Sequence, residues 1–235
     1  MRLNYICGEA IRKLWIGRWR LRGYVPFTNW NIVWRNLDKK AKSILDIGCG
    51  KGRPMRFINR HGCFFTVGVD GFEPYLDQCQ RENSHSAFVL GDARALPFKE
   101  KSFDIVLCLQ VLEHFDREEG SLLLNQMDRI TKRQVLVTTD VGKCVQSQAI
   151  DGNPLQVHKY VWSINELKEL DYKVFGIGGL LGWGGETGIS RLLPTPFRWF
   201  INTVLQLLAG PILYFFPRYA GSALCVKNVS RWKLC

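Results

Sequence analysis

Two acids and a run of glycines carry the first hint of chemistry. In Ser43-Ile44-Leu45-Asp46-Ile47-Gly48-Cys49-Gly50-Lys51-Gly52 an apolar stretch passes into alternating glycines. In Phe64-Phe65-Thr66-Val67-Gly68-Val69-Asp70 a second apolar stretch ends on a carboxylate. Glycines at 48, 50 and 52 can take positive φ and let a ligand approach the backbone closely. A carboxylate closing a second strand stands where it can accept both hydroxyls of a ribose. The spacing is G-x-G-x-G, not the G-x-G-x-x-G of pyrophosphate-binding dinucleotide sites. Further along come Asp92 in Gly91-Asp92-Ala93, Gln110 after an apolar run, and three groups able to move a proton: Glu113, His114 and His158.

These residues need strands to carry them. Apolar patterning predicts strands at 43–47, 64–70, 87–90, 103–109 and 134–139, with an antiparallel hairpin at 172–177 and 222–226. Helices are expected at 53–60 and from Pro74, a residue suited to a first turn, to about 82. Two capping boxes, Asp116-x-x-Glu119 and Ser163-x-x-Glu166, open helices running to 127 and 170. In this α/β arrangement the chemistry-bearing residues fall at strand ends or in the loops after them, including the polar stretch 140–160.

The glycine run, Val67-Gly68-Val69-Asp70, Gly91-Asp92-Ala93 with Leu96-Pro97-Phe98, and Phe103-Asp104-Ile105-Val106 form an ordered set. It resembles the class I S-adenosylmethionine-dependent methyltransferases of the type 11-like, small-molecule and lipid kind. The likeness spans residues 40–140 and weakens toward 175. The resemblance implies a Rossmann-like seven-stranded sheet in the order 3-2-1-4-5-7-6 with helices on both faces. It implies S-adenosyl-L-methionine as cofactor, held by Asp46, Gly48, Cys49, Gly50, Asp70, Gly71, Asp92, Ala93 and Gln110. Asp46 would hold an ammonium or order the loop, Asp70 would take the ribose, and Gln110 would face the cofactor. Asp92 would accept from an adenine amino group; its other reading is a solvated turn aspartate.

Leu109-Gln110-Val111-Leu112 lacks the Asn/Asp-Pro-Pro-aromatic motif of nucleobase amino methyltransferases, and no Pro-Cys marks a cytosine C5 nucleophile. Val111-Leu112-Glu113-His114-Phe115 resembles instead the branch acting on small molecules, quinones, lipids and sugars. The expected function is methyl transfer to O or C of a lipidic or lipid-linked acceptor, such as a quinone or an envelope saccharide intermediate. His158, His114 and Glu113 are the candidate bases or substrate contacts, and a structural hydrogen bond is the other reading of each. No metal is required. A net charge of +11 motivates an RNA methyltransferase as the alternative. A non-catalytic binding protein on the same fold is a third reading.

A chain of 235 residues suits one α/β domain with an appendage. The division expected is a cap at 1–40 and a methyltransferase domain at 41–235, with an apolar helical insertion at about 190–217. The eight cysteines are scattered, which argues against a zinc site and fits a reducing cytosol. Charges interrupt the apolar runs near the start, unlike a signal peptide.

Leu3, Ile6, Ala10, Ile11 and Leu14 recur at helical spacing before Arg18-Trp19-Arg20-Leu21-Arg22 and a segment with Trp30 and Trp34. This arm suits a membrane interface or a helical cap packed over the substrate side. The run 197–216 is apolar, with a break expected at Gly210-Pro211. It suits an interfacial helix, a greasy pocket wall, or a helix pair packed on the core or between subunits. Peripheral contact with the inner face of a membrane is therefore expected through 1–35 and 197–217, in an otherwise cytoplasmic protein.

Overall fold

The computed structural model describes residues 26–141, 149, 151–180, 192 and 194–229. Seven strands form one sheet in the order β3-β2-β1-β4-β5-β7-β6. They are β1 (Ser43–Ile47), β2 (Phe65–Asp70), β3 (Ala87–Leu90), β4 (Phe103–Leu109), β5 (Thr131–Asp140), β6 (Lys173–Leu180) and β7 (Ala220–Asn228). β7 runs antiparallel to both its neighbours, and the other pairings are parallel. This is the order expected from the sequence.

Parallel strands read as continuous apolar runs because helices cover both faces. On one face Leu45, Ile47, Val67, Val69, Val106, Cys108, Val135 and Val137 meet Leu123, Met127 and Ile130 of α4 (Arg117–Ile130) and Leu167 of α5 (Ile164–Glu169). Both helices start at the expected capping boxes: Asp116 accepts from the Glu119 N–H, and Ser163 from the Glu166 N–H. On the other face Ile44, Ile105, Leu107, Leu136 and Leu224 meet α1 (Asn29–Asn36) and α2 (Arg53–Ile58). Leu76 and Cys79 of α3 (Glu73–Arg81) cover Cys49 and Phe88.

The tryptophan segment lies in α1, where Ile32 and Val33 are buried and Trp30 and Trp34 pack at the margin of the same core. The helix expected over 3–15 and the Arg–Trp run at 18–22 lie outside the described residues.

The structure corrects the break expected at Gly210-Pro211. A single 21-residue helix, α6 (Thr195–Phe215), runs through it. Proline removes one helical donor and crowds the carbonyl four residues back. Tertiary contacts on both sides of it hold the helix continuous. The Gln206 amide donates to the Phe27 carbonyl at 2.5 Å. A Cβ at Gly210 would lie 2.5 Å from that of Phe27, so glycine lets the two segments touch. Below the proline, Tyr214 stacks on Phe175 at 4.5 Å and donates to Asn36 Oδ1 at 3.1 Å.

The direction of α6 follows from these contacts. Tyr214 lies beside Phe175, while Gln206 lies beside Gly179, near the end of β6. The half of α6 before Gln206 therefore continues past the carboxyl edge of the sheet. Close packing of helix on strand makes Gly176 a sensitive position. A Cβ there would lie 2.1 Å from the Leu213 carbonyl oxygen, a backbone atom that cannot rotate away. Gly176→Ala is expected to cost about 2 kcal/mol, lowering Tm by roughly 5 °C in a thermal melt.

Candidate active site

The sheet order places a switch point at β1, whose chain goes first to β2 and β3 and then crosses to β4 on its other side. Ligand crevices in α/β sheets form at such points, outside the strands' carboxyl ends. A cavity of about 650 Å³ lies there. Gly48 and Gly50 after β1, Asp70 and Gly71 after β2, Asp92 and Ala93 after β3, and Gln110 after β4 all line it. Residues 153–157 and Lys159 form its roof.

The glycine loop divides its labour. At Gly48, with φ of 65°, a Cβ would lie 2.3 Å from Val111 Cγ2, so this glycine lets the turn after β4 press against the loop. At Gly50, with φ of 53°, a Cβ would meet nothing within 4 Å, and the backbone itself faces the open cavity.

Asp70 ties β2 to this loop. Its Oδ2 accepts the Gly50 N–H at 2.7 Å and its Oδ1 the Phe72 N–H at 2.9 Å. Burial raises its pKa against the pull of those two donors. Each carboxylate oxygen has two lone pairs, so acceptor capacity remains for a diol in the cavity.

Asp46 and Cys49 are not among the cavity-lining residues. Asp46 is buried, with Oδ2 3.0 Å from His85 Nε2, and His85 Nδ1 lies 2.8 Å from Ser84 Oγ. Burial pushes His85 down, but the Asp46 carboxylate and the neighbouring Cys79 outweigh it and raise the imidazole to about 9. Asp46 therefore supports the loop from behind rather than reaching a ligand's ammonium. Cys49 is buried with its Sγ 3.9 Å from Cys79 Sγ, packed under the loop. Nothing in the sequence marks His85 as the partner of Asp46.

Asp92 reaches the cavity, but its carboxylate is engaged. Arg94 Nη2 donates to Oδ2 at 2.6 Å, and the Arg94 N–H to Oδ1 at 2.9 Å. The guanidinium holds the Asp92 carboxyl below the usual carboxylate range. A ligand amino group at this wall would share the carboxylate with Arg94.

Gln110 sits at φ of 58°, with its N–H donated to the Thr138 carbonyl at 2.8 Å. Its side-chain Nε2 is buried with no hydrogen-bond partner. An unsatisfied buried amide costs about 1–3 kcal/mol. Gln110 lines the cavity, but this nitrogen is itself sealed from it, so a ligand oxygen would reach it only once the side chain turns.

The three candidate proton carriers come together. Glu113, 1% exposed, accepts from Thr139 Oγ1 at 2.9 Å; burial, with the Asp140 charge nearby, pushes its carboxyl up to about 8. His114 donates from Nδ1 to the Val157 carbonyl at 3.2 Å, and burial lowers its pKa. The His158 ring meets the His114 ring edge-on at 5.0 Å. One ligand atom from each of the three lies within 4.8 Å of the others. Of the three, His114 lines the cavity.

The sequence pointed to the stretch 140–160 as a whole, and the structure shows which of its residues form the roof and what holds them. Asp151 pairs with Lys51 of the glycine loop and accepts from the Tyr75 hydroxyl at 3.2 Å. Asn153 Oδ1 caps the next turn through the Leu155 N–H at 2.9 Å. The Glu113 carbonyl accepts from the Lys159 N–H at 2.8 Å. Asn153-Pro154 is a turn signal in sequence. Where that turn lands is set by these long-range bonds.

Residues 45–138 match the family described as "Methyltransferase domain". The chain is 32% identical over 95 residues to tRNA (carboxymethyluridine(34)-5-O)-methyltransferase alkbh8 of Xenopus tropicalis, covering 40% of this chain and 14% of that protein. It is 32% identical over 84 residues to ubiquinone biosynthesis O-methyltransferase of Coxiella burnetii, covering 34% of this chain and 36% of that one. The match thus spans less than two thirds of either relative. A crystal structure of a SAM dependent methyltransferase from Archaeoglobus fulgidus shares the fold, with a TM-score of 0.55 and 20% identity over 93% of this chain and 94% of that one.

Proposed function

Because residues 45–138 are a methyltransferase domain on the class I, S-adenosylmethionine-dependent fold, we propose that this chain methylates a lipidic or lipid-linked small molecule. The observation that carries the cofactor half is the donor and acceptor pattern of the cavity. Acceptor capacity at Asp70 and bare backbone at Gly50 complement a nucleoside joined to an amino acid, with the unpaired amide of Gln110 beside them. When bound, S-adenosyl-L-methionine supplies a methyl carbon already activated by its sulfonium. The protein's work is then to position the acceptor and exclude water. Asp70 takes the ribose hydroxyls, Gly50 lets the tail lie on the loop, and Gln110 donates to a ligand oxygen. His114, Phe115, Leu155 and Val157 wall the remaining space, and of the expected bases His114 reaches it.

Gln110→Ala separates the ligand's demand from the fold's. Removing an unsatisfied donor is expected to leave the ligand-free Tm unchanged or slightly higher. The same change should weaken S-adenosylmethionine binding about tenfold by calorimetry.

The lipidic half is supported by α6. Leu208, Ile212 and Phe215 are 70%, 61% and 72% exposed, and they share one face with Phe200. Arg198 is the one charged residue in the helix. No helix among the described residues is long and apolar enough to cross a membrane. The exposed apolar face and a net charge of +11 support α6 lying on an anionic bilayer at the inner face of the membrane, its leading half beyond the carboxyl edge of the sheet. The ubiquinone-pathway relative points the same way.

The test is labelled methyl transfer to phenolic and quinol lipids in vesicles. Transfer to such a lipid supports the reading, and cofactor binding without transfer to any lipid overturns it. The alkbh8 relative and the charge favour RNA as a second acceptor class. Salt-dependent RNA binding in a gel shift, with no vesicle binding, would replace the lipid by RNA.

A further inference from the structure

We propose that Glu113, His114 and His158 hold a divalent cation of borderline softness, zinc-like in its ligand preference, at the acceptor end of the cavity. One oxygen and two imidazole nitrogens within 4.8 Å of one another form a donor set of mixed kind suited to such an ion. Bonds of about 2.1 Å require each ligand atom to move less than about 1 Å toward the centre of that triangle. Three side chains on a turn and a loop can make that adjustment by rotation.

Two features support the site beyond proximity. The first is the outer hydrogen bonding that metal ligands need. His114 Nδ1 donates to the Val157 carbonyl, which fixes the orientation of the ring. Thr139 Oγ1 donates to Glu113 Oε2 at 2.9 Å and fixes the carboxylate plane. The second is the setting of Glu113. It is 1% exposed, with Asp140 acting on it as a like charge, and among the described residues no basic side chain forms an ion pair with it. A buried carboxyl without a counter-charge keeps its proton, and a cation binding there would displace that proton.

The cation would leave coordination positions open toward the cavity, because His114 is a lining residue and the other two ligands stand behind it. Those positions suit an acceptor oxygen that binds as an oxyanion, such as a phenol or one of a vicinal pair of hydroxyls. This narrower acceptor class rests on the methyltransferase reading above; the ion site does not. It also gives the residues expected as bases a different task, that of presenting the hydroxyl rather than taking its proton.

The test titrates the chelator-treated full chain with zinc, then with cobalt(II), by calorimetry, elemental analysis and visible absorption. One equivalent of zinc and a cobalt ligand-field band are expected. His158→Ala and Glu113→Gln should each weaken zinc binding at least about 100-fold, while Asp70→Ala should bind zinc as the wild type does. Substoichiometric zinc in the wild type, or equal affinity in His158→Ala, overturns the site. If Glu113→Gln does not fold, His158→Ala decides. Zinc binding with no S-adenosylmethionine binding would sink the methyltransferase reading and leave the ion site standing; the reverse result would do the opposite.

Discussion

Asp70→Ala should bind S-adenosylmethionine at least about 100-fold more weakly than the wild type, the loss of about 3 kcal/mol expected when two charge-assisted hydrogen bonds go. The reason is twofold. The carboxylate is the acceptor placed for the ribose diol, and it is also the anchor of the Gly50 and Phe72 N–H groups. Alanine removes the ligand contact and releases the glycine loop together. Asp70→Asn keeps one acceptor oxygen and should fall between the two. Calorimetry on the three proteins checks the order. Equal affinity in wild type and Asp70→Ala would mean that the crevice at β1 and β2 does not hold this ligand.

The second large effect belongs to α6. Replacing Leu208, Ile212 and Phe215 together by serine should weaken cosedimentation with anionic vesicles by roughly 10³-fold, from about 4 kcal/mol of lost apolar contact. These side chains face solvent in the isolated chain, so the melting temperature and the cofactor affinity should stay near wild type. Undiminished vesicle binding by the triple variant would remove α6 from the contact.

Local signals in the sequence carried much of the architecture. β3 and β4 begin and end where the apolar runs do, and α4 and α5 start at their capping boxes. Strand-end positions foretold that Asp70, Asp92 and Gln110 would share one crevice, since topology alone brings strand ends together. What could not be read depends on contacts between distant segments. Pro211 signals a helix end, but Phe27, Phe175 and Asn36 hold the helix together around it. Asp46 looks like a ligand contact from its place before the glycines, but a histidine from beyond β2 claims it. The grouping of Glu113 with His158 was equally invisible, because it is made by the Lys159 N–H returning to the Glu113 carbonyl.

The contact of Phe27 with Gly210 pins the residues just ahead of α1 to the flank of α6. Trp30 and Trp34 of α1 and the greasy helix, nearly two hundred positions apart in the chain, thus meet on one side of the same core. A bilayer touching one lies within reach of the other, so blunting Trp30 and blunting the helix should not act as independent changes. Their combined effect on vesicle affinity is expected to depart from the sum of the two.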